Sequence, residues 1–205
     1  MVKLFYMNQG SKGELGAVKY SEYDALFLCE SSDKAKTGFI YHYQSKDSAP
    51  VMTIQVRDGG GRLLSETKDI SKTAKSTRPL LATSLGTITI IFFHLKSGNA
   101  KTATTELEEA FLVMKSLMQE NPDKKILWIG DFNRASDNMI KGLGLKEYYA
   151  GGGQATWDLD RVYASGKWDN GELKVEQKTT AAGDHGHVGL AIHLPKAMAR
   201  TTFDI

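Results

Sequence analysis

The sequence predicts a layered α/β protein folded as one domain, and three observations carry that prediction. Short apolar runs recur along the chain, each closed by a turn or by a polar residue. Only one segment has the apolar spacing of a long helix. The 205 residues, 41% hydrophobic and 24% charged, hold enough apolar material for one core and too little polar bias for a disordered chain.

The elements follow in order. Lys3 to Met7 reads as a strand, ended by Asn8-Gln9-Gly10-Ser11. Asp24 to Cys29 carries a continuous apolar run that stops at Glu30, as a buried strand with a polar tip would. Phe39–Tyr43 and Val51–Val56 alternate as sheet strands do, and Asp58-Gly59-Gly60-Gly61 forms the turn between Val56 and Leu63. Ser65 to Thr77 is rich in Lys, Ser and Thr and reads as a mobile loop. Thr87 to Phe93 is the strongest strand and ends at His94. Thr104 to Gln119 is the helix: Leu107, Phe111, Met114 and Met118 recur every three to four residues, with Glu106, Glu108 and Glu109 in its first turns. Asn121-Pro122-Asp123 stops it. Ile126 to Ile129 is a further buried strand, expected beside Thr87–Phe93 in one sheet, and it ends at Gly130-Asp131. Asp160–Ala164 and Val188–Leu194 complete the list. Gly151-Gly152-Gly153 reads as following no strand and opening no helix, which argues against a phosphate loop.

Composition excludes several classes. With 26 basic and 24 acidic residues the net charge is +2, so bulk charge names no polyanionic partner. The single cysteine, Cys29, excludes an internal disulfide framework and a cysteine-based zinc cluster. No run of about 20 apolar residues marks a membrane span, so integral membrane association is not expected. The N-terminus enters a strand-like run at once, and no signal peptide is visible. The chain is thus read as cytoplasmic in its producer, or as a secreted or delivered effector.

Chemistry gathers at strand ends: Glu30, His94, Asp131 with Asn133, Asp160, and Asp184 with His185. In a layered α/β protein such ends tend to converge on one edge of a sheet. Carboxylates, an amide and histidines make an oxygen-rich site suited to Mg²⁺ or Mn²⁺, with Ca²⁺ a further hard cation of that class, rather than to zinc. Each residue alone has a plain reading as a cap or turn residue; the recurrence from strand to strand is what points to a site.

These residues resemble a known family. Gly130-Asp131-Phe132-Asn133 matches the Gly-Asp-Phe-Asn motif of the endonuclease/exonuclease/phosphatase superfamily, and Gly183-Asp184-His185 followed by Val188 resembles its closing motif. Leu159-Asp160-Arg161-Val162 is similar to the Asp-bearing strand of deoxyribonuclease I. Within the superfamily the chain most resembles the nuclease subunits of cytolethal distending toxins. The marks are Gln9-Gly10-Ser11, Ser76-Thr77-Arg78-Pro79, Phe92-Phe93-His94 with Ser97-Gly98-Asn99, and Gly130 to Arg134. There are departures. The toxin pattern has an Asn two residues before Gln-Gly-Ser, whereas Asn8 directly precedes Gln9. Leu80 to Leu85 lacks a second phosphate-contacting arginine, His187 replaces the closing motif's Pro, and the stretch from Glu30 to Arg78 is short.

The resemblance implies a four-layer α-β-β-α sandwich of two mixed β-sheets, spanning residues 1–205 as one domain with 195–205 as a C-terminal tail. It implies that Glu30 holds a divalent metal, with Asp184 nearby, and that His185 is the general base with Asp160 orienting it. Asp131 and Asn133, two apart and extended, would point the same way, positioning water and hydrogen-bonding phosphate. His94 would donate to the phosphate or the leaving oxygen. Arg78, Asn8 and Arg57 are candidate phosphate contacts, Arg78 alternatively bracing the strand entry. His42 is read as structural or surface, His193 as pointing outward from the last strand, and Cys29 as a strand-core residue. The implied activity is a metal-dependent DNA endonuclease of low sequence specificity, with DNA as partner and toxin-type subunits as further partners. A phosphoinositide phosphatase on the same constellation is the alternative, and a degenerate binding relative the third reading.

Overall fold

Twelve strands in two sheets, one long helix and a single 3-10 turn make up the described chain. The computed structural model describes residues 1–10, 18–31, 34–45, 51–59, 63–71, 78–96, 100–120, 124–133, 138, 142, 144–151, 159–181 and 187–195. The expected tail therefore lies, from residue 196 on, outside the described residues.

The first sheet contains β1 (Val2–Asn8), β2 (Ala25–Cys29), β3 (Phe39–Gln44), β4 (Met52–Arg57), β11 (Lys174–Ala181) and β12 (His187–Leu194), in the order β11-β12-β1-β2-β4-β3. The second contains β5 (Lys68–Asp69), β6 (Leu80–Leu85), β7 (Ile88–His94), β8 (Lys125–Asp131), β9 (Lys146–Gly151) and β10 (Asp160–Ser165), in the order β5-β6-β7-β8-β10-β9. Each is mixed: β1 and β2 run parallel in one, β7 and β8 in the other, and the remaining neighbours are antiparallel.

Strand periodicity sorts the side chains into layers. Leu4, Tyr6, Phe27 and Ile54 face Ile90, Phe92, Ile129 and Val162 across the gap between the sheets. The intervening residues Phe5, Met7, Leu26 and Leu28 form a second cluster on the outer face of the first sheet, where Tyr20 of the 3-10 turn Tyr20–Glu22 packs. Ile91, Phe93, Ile126 and Trp128 form a third, against Leu107 and Ala110 of α1 (Ala100–Glu120). Burial on both faces is why these strands read as continuous apolar runs rather than as alternation.

The helix starts earlier than its apolar stripe implies, because Ala100 to Thr104 precede that stripe. Glu106 then falls beyond the first turn. It is buried, and its carboxylate accepts the Lys96 N–H at 2.9 Å, tying the helix to the end of β7. The side chains of Phe111, Met114 and Met118 lie outside the described residues.

Several expectations change. Residues 65–71 are not simply a loop: β5 pairs with β6, and Ser65 anchors Thr83 and Ser84 by hydrogen bonds. The segment 63–67 after the Asp58–Gly59 turn forms no strand, though Leu64 is buried. Gly151 is itself the last residue of a strand, β9, which the sequence pattern does not mark, any more than it marks β11.

Gly130 shows how tightly β7 and β8 pack. A Cβ there would lie 2.0 Å from the Phe93 carbonyl oxygen, so Gly130→Ala must push the strands apart. That substitution is expected to cost about 1–3 kcal/mol of unfolding free energy in a urea titration.

Candidate functional site

The site follows from register. In the second sheet His94 at the end of β7 is level with Asp131 at the end of β8, and Asp131 is paired with Asp160 at the start of β10. Paired residues share a face, and His94, Asp131 and Asp160 lie two residues beyond or before Phe92, Ile129 and Val162, which face the inter-sheet core. All three side chains therefore enter the space between the sheets at one edge. In the first sheet the parallel pair β1 and β2 brings Asn8 level with Cys29, two residues on from Tyr6 and Phe27. Asn8 thus enters the same space.

Glu30 needs a local device. A strand continued past Cys29 would turn residue 30 to the outer face. Instead Glu30 takes φ 50°, a left-handed conformation that costs a non-glycine residue about 1–2 kcal/mol. Its Oε1 comes within 3.8 Å of His94 Nε2. The carboxylate is about a third exposed, whereas His94 is buried.

Asp131 is the hub. Its Oδ2 accepts from Asn8 Nδ2 at 3.0 Å and lies 3.4 Å from His94 Nε2, while its Oδ1 accepts the Asn133 backbone N–H at 2.6 Å. Asn8 in turn accepts the Gly10 N–H through its own side-chain oxygen at 3.1 Å. Asn8 therefore reaches Asp131 directly from the end of β1.

Asn133 departs from the expectation of an extended Asp-x-Asn. It takes φ 48°, its N–H closing a turn onto Asp131, and its side-chain amide donates to the Leu95 carbonyl. One further amide hydrogen remains for another acceptor.

Asp160 is almost wholly buried, and the Tyr6 hydroxyl donates to its Oδ1 at 2.5 Å from the opposite sheet. Burial, with the negative charge of Asp131 adding to it, holds the Asp160 carboxyl well above the ordinary carboxylate range; the Tyr6 bond pulls the other way. Burial and the neighbouring Asp160 likewise raise the Tyr6 phenol. Cys29 is buried and its thiol is pushed up by burial and by Asp131, so it stays protonated, in keeping with a core role.

Among the arginines, Arg78 donates to the Leu95 carbonyl at 3.4 Å, the same oxygen that Asn133 uses, which places it beside the site as a brace. Arg57 does not join it. Because β4 runs antiparallel to β2, with Val56 opposite Ala25, Arg57 lies at the other end of β2, some 15 Å or more from Glu30 at about 3.4 Å per residue. There its guanidinium donates to the Ser21 and Tyr23 carbonyls and lies 4.0 Å from Asp24. Arg57 thus fastens the loop before β2, away from the edge where the other candidates meet.

His42 bonds the Ser65 carbonyl through Nε2 at 2.7 Å, and His193 sits 3.6 Å from Glu176. Asp184, His185 and Arg134 lie outside the described residues, as does the side chain of His187. The strands flanking Asp184 and His185 are described: Ala181 at the end of β11 pairs with His187 at the start of β12, and Gly189 of β12 pairs with Met7 near the end of β1.

The residue that sequence reasoning missed is Tyr6. The available signal was its position two before Asn8, on the same strand face, but within Leu4-Phe5-Tyr6-Met7 it reads as core. As for cation fit, Glu30 and Asp131 supply hard oxygen donors. Asp131 and Glu30 both raise the cost of ionising Asp160, so the edge gains from added positive charge. Among the described residues no three acidic, histidine or cysteine side chains form a metal cluster by themselves.

No family model matches the chain, and no curated protein matches it. Solved structures do. The TDP2 of D. rerio complexed with single strand DNA product superposes with a TM-score of 0.61 at 16% identity, over 93% of this chain and 97% of that one. An endonuclease/exonuclease/phosphatase family protein from Bacteroides thetaiotaomicron gives 0.58 at 13% identity, over 98% and 99%. Cytolethal distending toxin from Actinobacillus actinomycetemcomitans gives 0.57 at 14% identity, over 93% and 97%. Taken with the two mixed six-stranded sheets, these matches show that the chain has the deoxyribonuclease I-like sandwich fold of the endonuclease/exonuclease/phosphatase superfamily.

Proposed function

We propose that the chain is a divalent-metal-dependent phosphodiesterase, a DNA endonuclease of low sequence specificity. The observation that carries this reading is the convergence of Asn8 and Glu30 from one sheet with His94, Asp131, Asn133 and Asp160 from the other at a single edge. The solved D. rerio TDP2 of the same fold with its DNA product supports DNA as the substrate class.

Phosphodiester hydrolysis requires removal of a proton from water, stabilisation of charge on the non-bridging oxygens, and help to the leaving oxygen. His185 takes the proton, and Asp160 holds its imidazole in the productive tautomer. Asp131, fixed by Asn8 and the Asn133 N–H, positions the water, and the second Asn133 amide hydrogen donates to phosphate. His94, whose Nε2 lies 3.8 Å from Glu30 and 3.4 Å from Asp131, donates to the phosphate or leaving oxygen. Arg78 flanks the phosphate path. Glu30, with Asp184, would hold the ion, Mg²⁺ by donor type, which when bound neutralises phosphate charge as a Lewis acid. No described helix is long and apolar enough to cross a membrane.

A plasmid-nicking assay run beside phosphate release from a soluble phosphoinositide tests the reading. Nicking is expected with Mg²⁺, is expected to disappear in excess chelator, and no phosphate should be released. Phosphate release without nicking would replace the nuclease by a phosphoinositide phosphatase. Undiminished nicking in chelator would remove the metal from the mechanism.

A further inference from the structure

We propose that Tyr6 is a positioning residue of the hydrolytic site: its hydroxyl, reaching across from the opposite sheet, fixes the Asp160 carboxylate for its work on His185. This rests on the reading of Asp160 as the carboxylate that orients the general base.

Tyr6 is fully buried on β1, with its ring edge against Phe92 at 6.2 Å between centroids. A buried phenol needs a partner for its O–H. Tyr6 finds it in Asp160 Oδ1 at 2.5 Å, a bond between residues 154 apart in sequence. The ring is wedged in the inter-sheet core, so the hydroxyl sits at a fixed point and the carboxylate must come to it. Among the described residues Tyr6 is the side chain that donates to Asp160. With Oδ1 engaged, the carboxylate plane is set and Oδ2 is left to accept from a second donor, which is the geometry an imidazole N–H requires.

The bond also acts on charge. A carboxylate in the apolar gap, level with Asp131, is costly to ionise. A charge-assisted hydrogen bond favours its anionic form, the only form that accepts from an imidazolium and supports proton removal from water. A phenol suits this role because it stays protonated in the gap and so donates without bringing a competing charge.

Tyr6→Phe deletes the oxygen and keeps the ring. The expected result is a fall in kcat for nicking a short duplex of about 10- to 100-fold, the worth of one hydrogen bond to a charged group. KM should stay within about two-fold, because Tyr6 touches no substrate. A merely structural role would move neither constant once the protein is shown folded. In an Asp160→Asn background the same change should cost less than about three-fold, since the two act as a unit.

If Tyr6→Phe alone fails to fold, the double variant Tyr6→Phe/Asp160→Asn decides, because it leaves no buried anion stripped of its donor. Its activity should match that of Asp160→Asn. A folded Tyr6→Phe with parental kcat overturns the proposal, as does a double variant whose losses simply multiply. If Asp160→Asn itself nicks like the parent, the role of Asp160 falls and that of Tyr6 with it. An impaired Asp160→Asn beside an unaffected Tyr6→Phe overturns the role of Tyr6 alone.

Discussion

Replacement of His185 by alanine is expected to lower the rate of DNA hydrolysis by about 10²- to 10⁴-fold, the usual contribution of a positioned general base. Water would then have to lose its proton to bulk solvent. DNA binding should survive, because the phosphate grip rests on other groups, and a gel-shift measurement in chelator would show it. The variant must first be shown folded. A folded His185→Ala that cuts within a few-fold of the parent would remove the proposed mechanism while leaving the fold assignment untouched.

Asp160→Asn is expected to move activity and stability in opposite directions. The rate should fall by a comparable factor, since an amide in place of the carboxylate can hold the imidazole in the wrong tautomer. The His185→Ala/Asp160→Asn double variant should be little worse than the worse single. Stability should rise at neutral pH. Burial and Asp131 raise the Asp160 pKa in the folded state above its unfolded value, so the folded protein binds this proton more tightly than the unfolded chain does. Ionising Asp160 therefore costs folding free energy at any pH above the unfolded value of about 3.9. Below that value the parent and Asp160→Asn should differ little. The advantage of the amide should grow as pH rises from there through the raised native pKa, then level off. Urea titrations at several pH values in chelator measure this directly, and an Asp160→Asn that is less stable than the parent at pH 7 would contradict it.

The inner strands and the strand-end residues were legible in the sequence because a two-sided core writes unbroken apolar runs, and each run stops where polarity begins. That is how Glu30, His94, Asp131 and Asp160 could be named before their strands were paired. The edge strands β9 and β11, Lys-Glu-Tyr-Tyr-Ala-Gly and Lys-Val-Glu-Gln-Lys-Thr-Thr-Ala, were not legible, since an edge strand half open to water carries charge and turn formers. Arg57 was misplaced for a different reason. Nothing local tells which end of its strand meets the candidate site; only the antiparallel pairing with β2 does. Asn133 and Glu30 both leave the extended conformation, so no alternation rule could aim them. Tyr6 was hidden by its own hydrophobicity: its ring belongs to the core, and only its last atom belongs to the site.

Two of the bonds that cross between the sheets, Tyr6 to Asp160 and Asn8 to Asp131, mean that neither half of the sandwich holds the proposed site alone. The juxtaposition of these residues exists only while the two layers are docked at one relative height. A swollen state that kept its strands but loosened the interior is expected to lose the proposed activity while still ordered in its backbone. Under the proposed function, activity is thus a more stringent sign of the native state than secondary structure is, because it depends on two polar contacts at the rim of the interior.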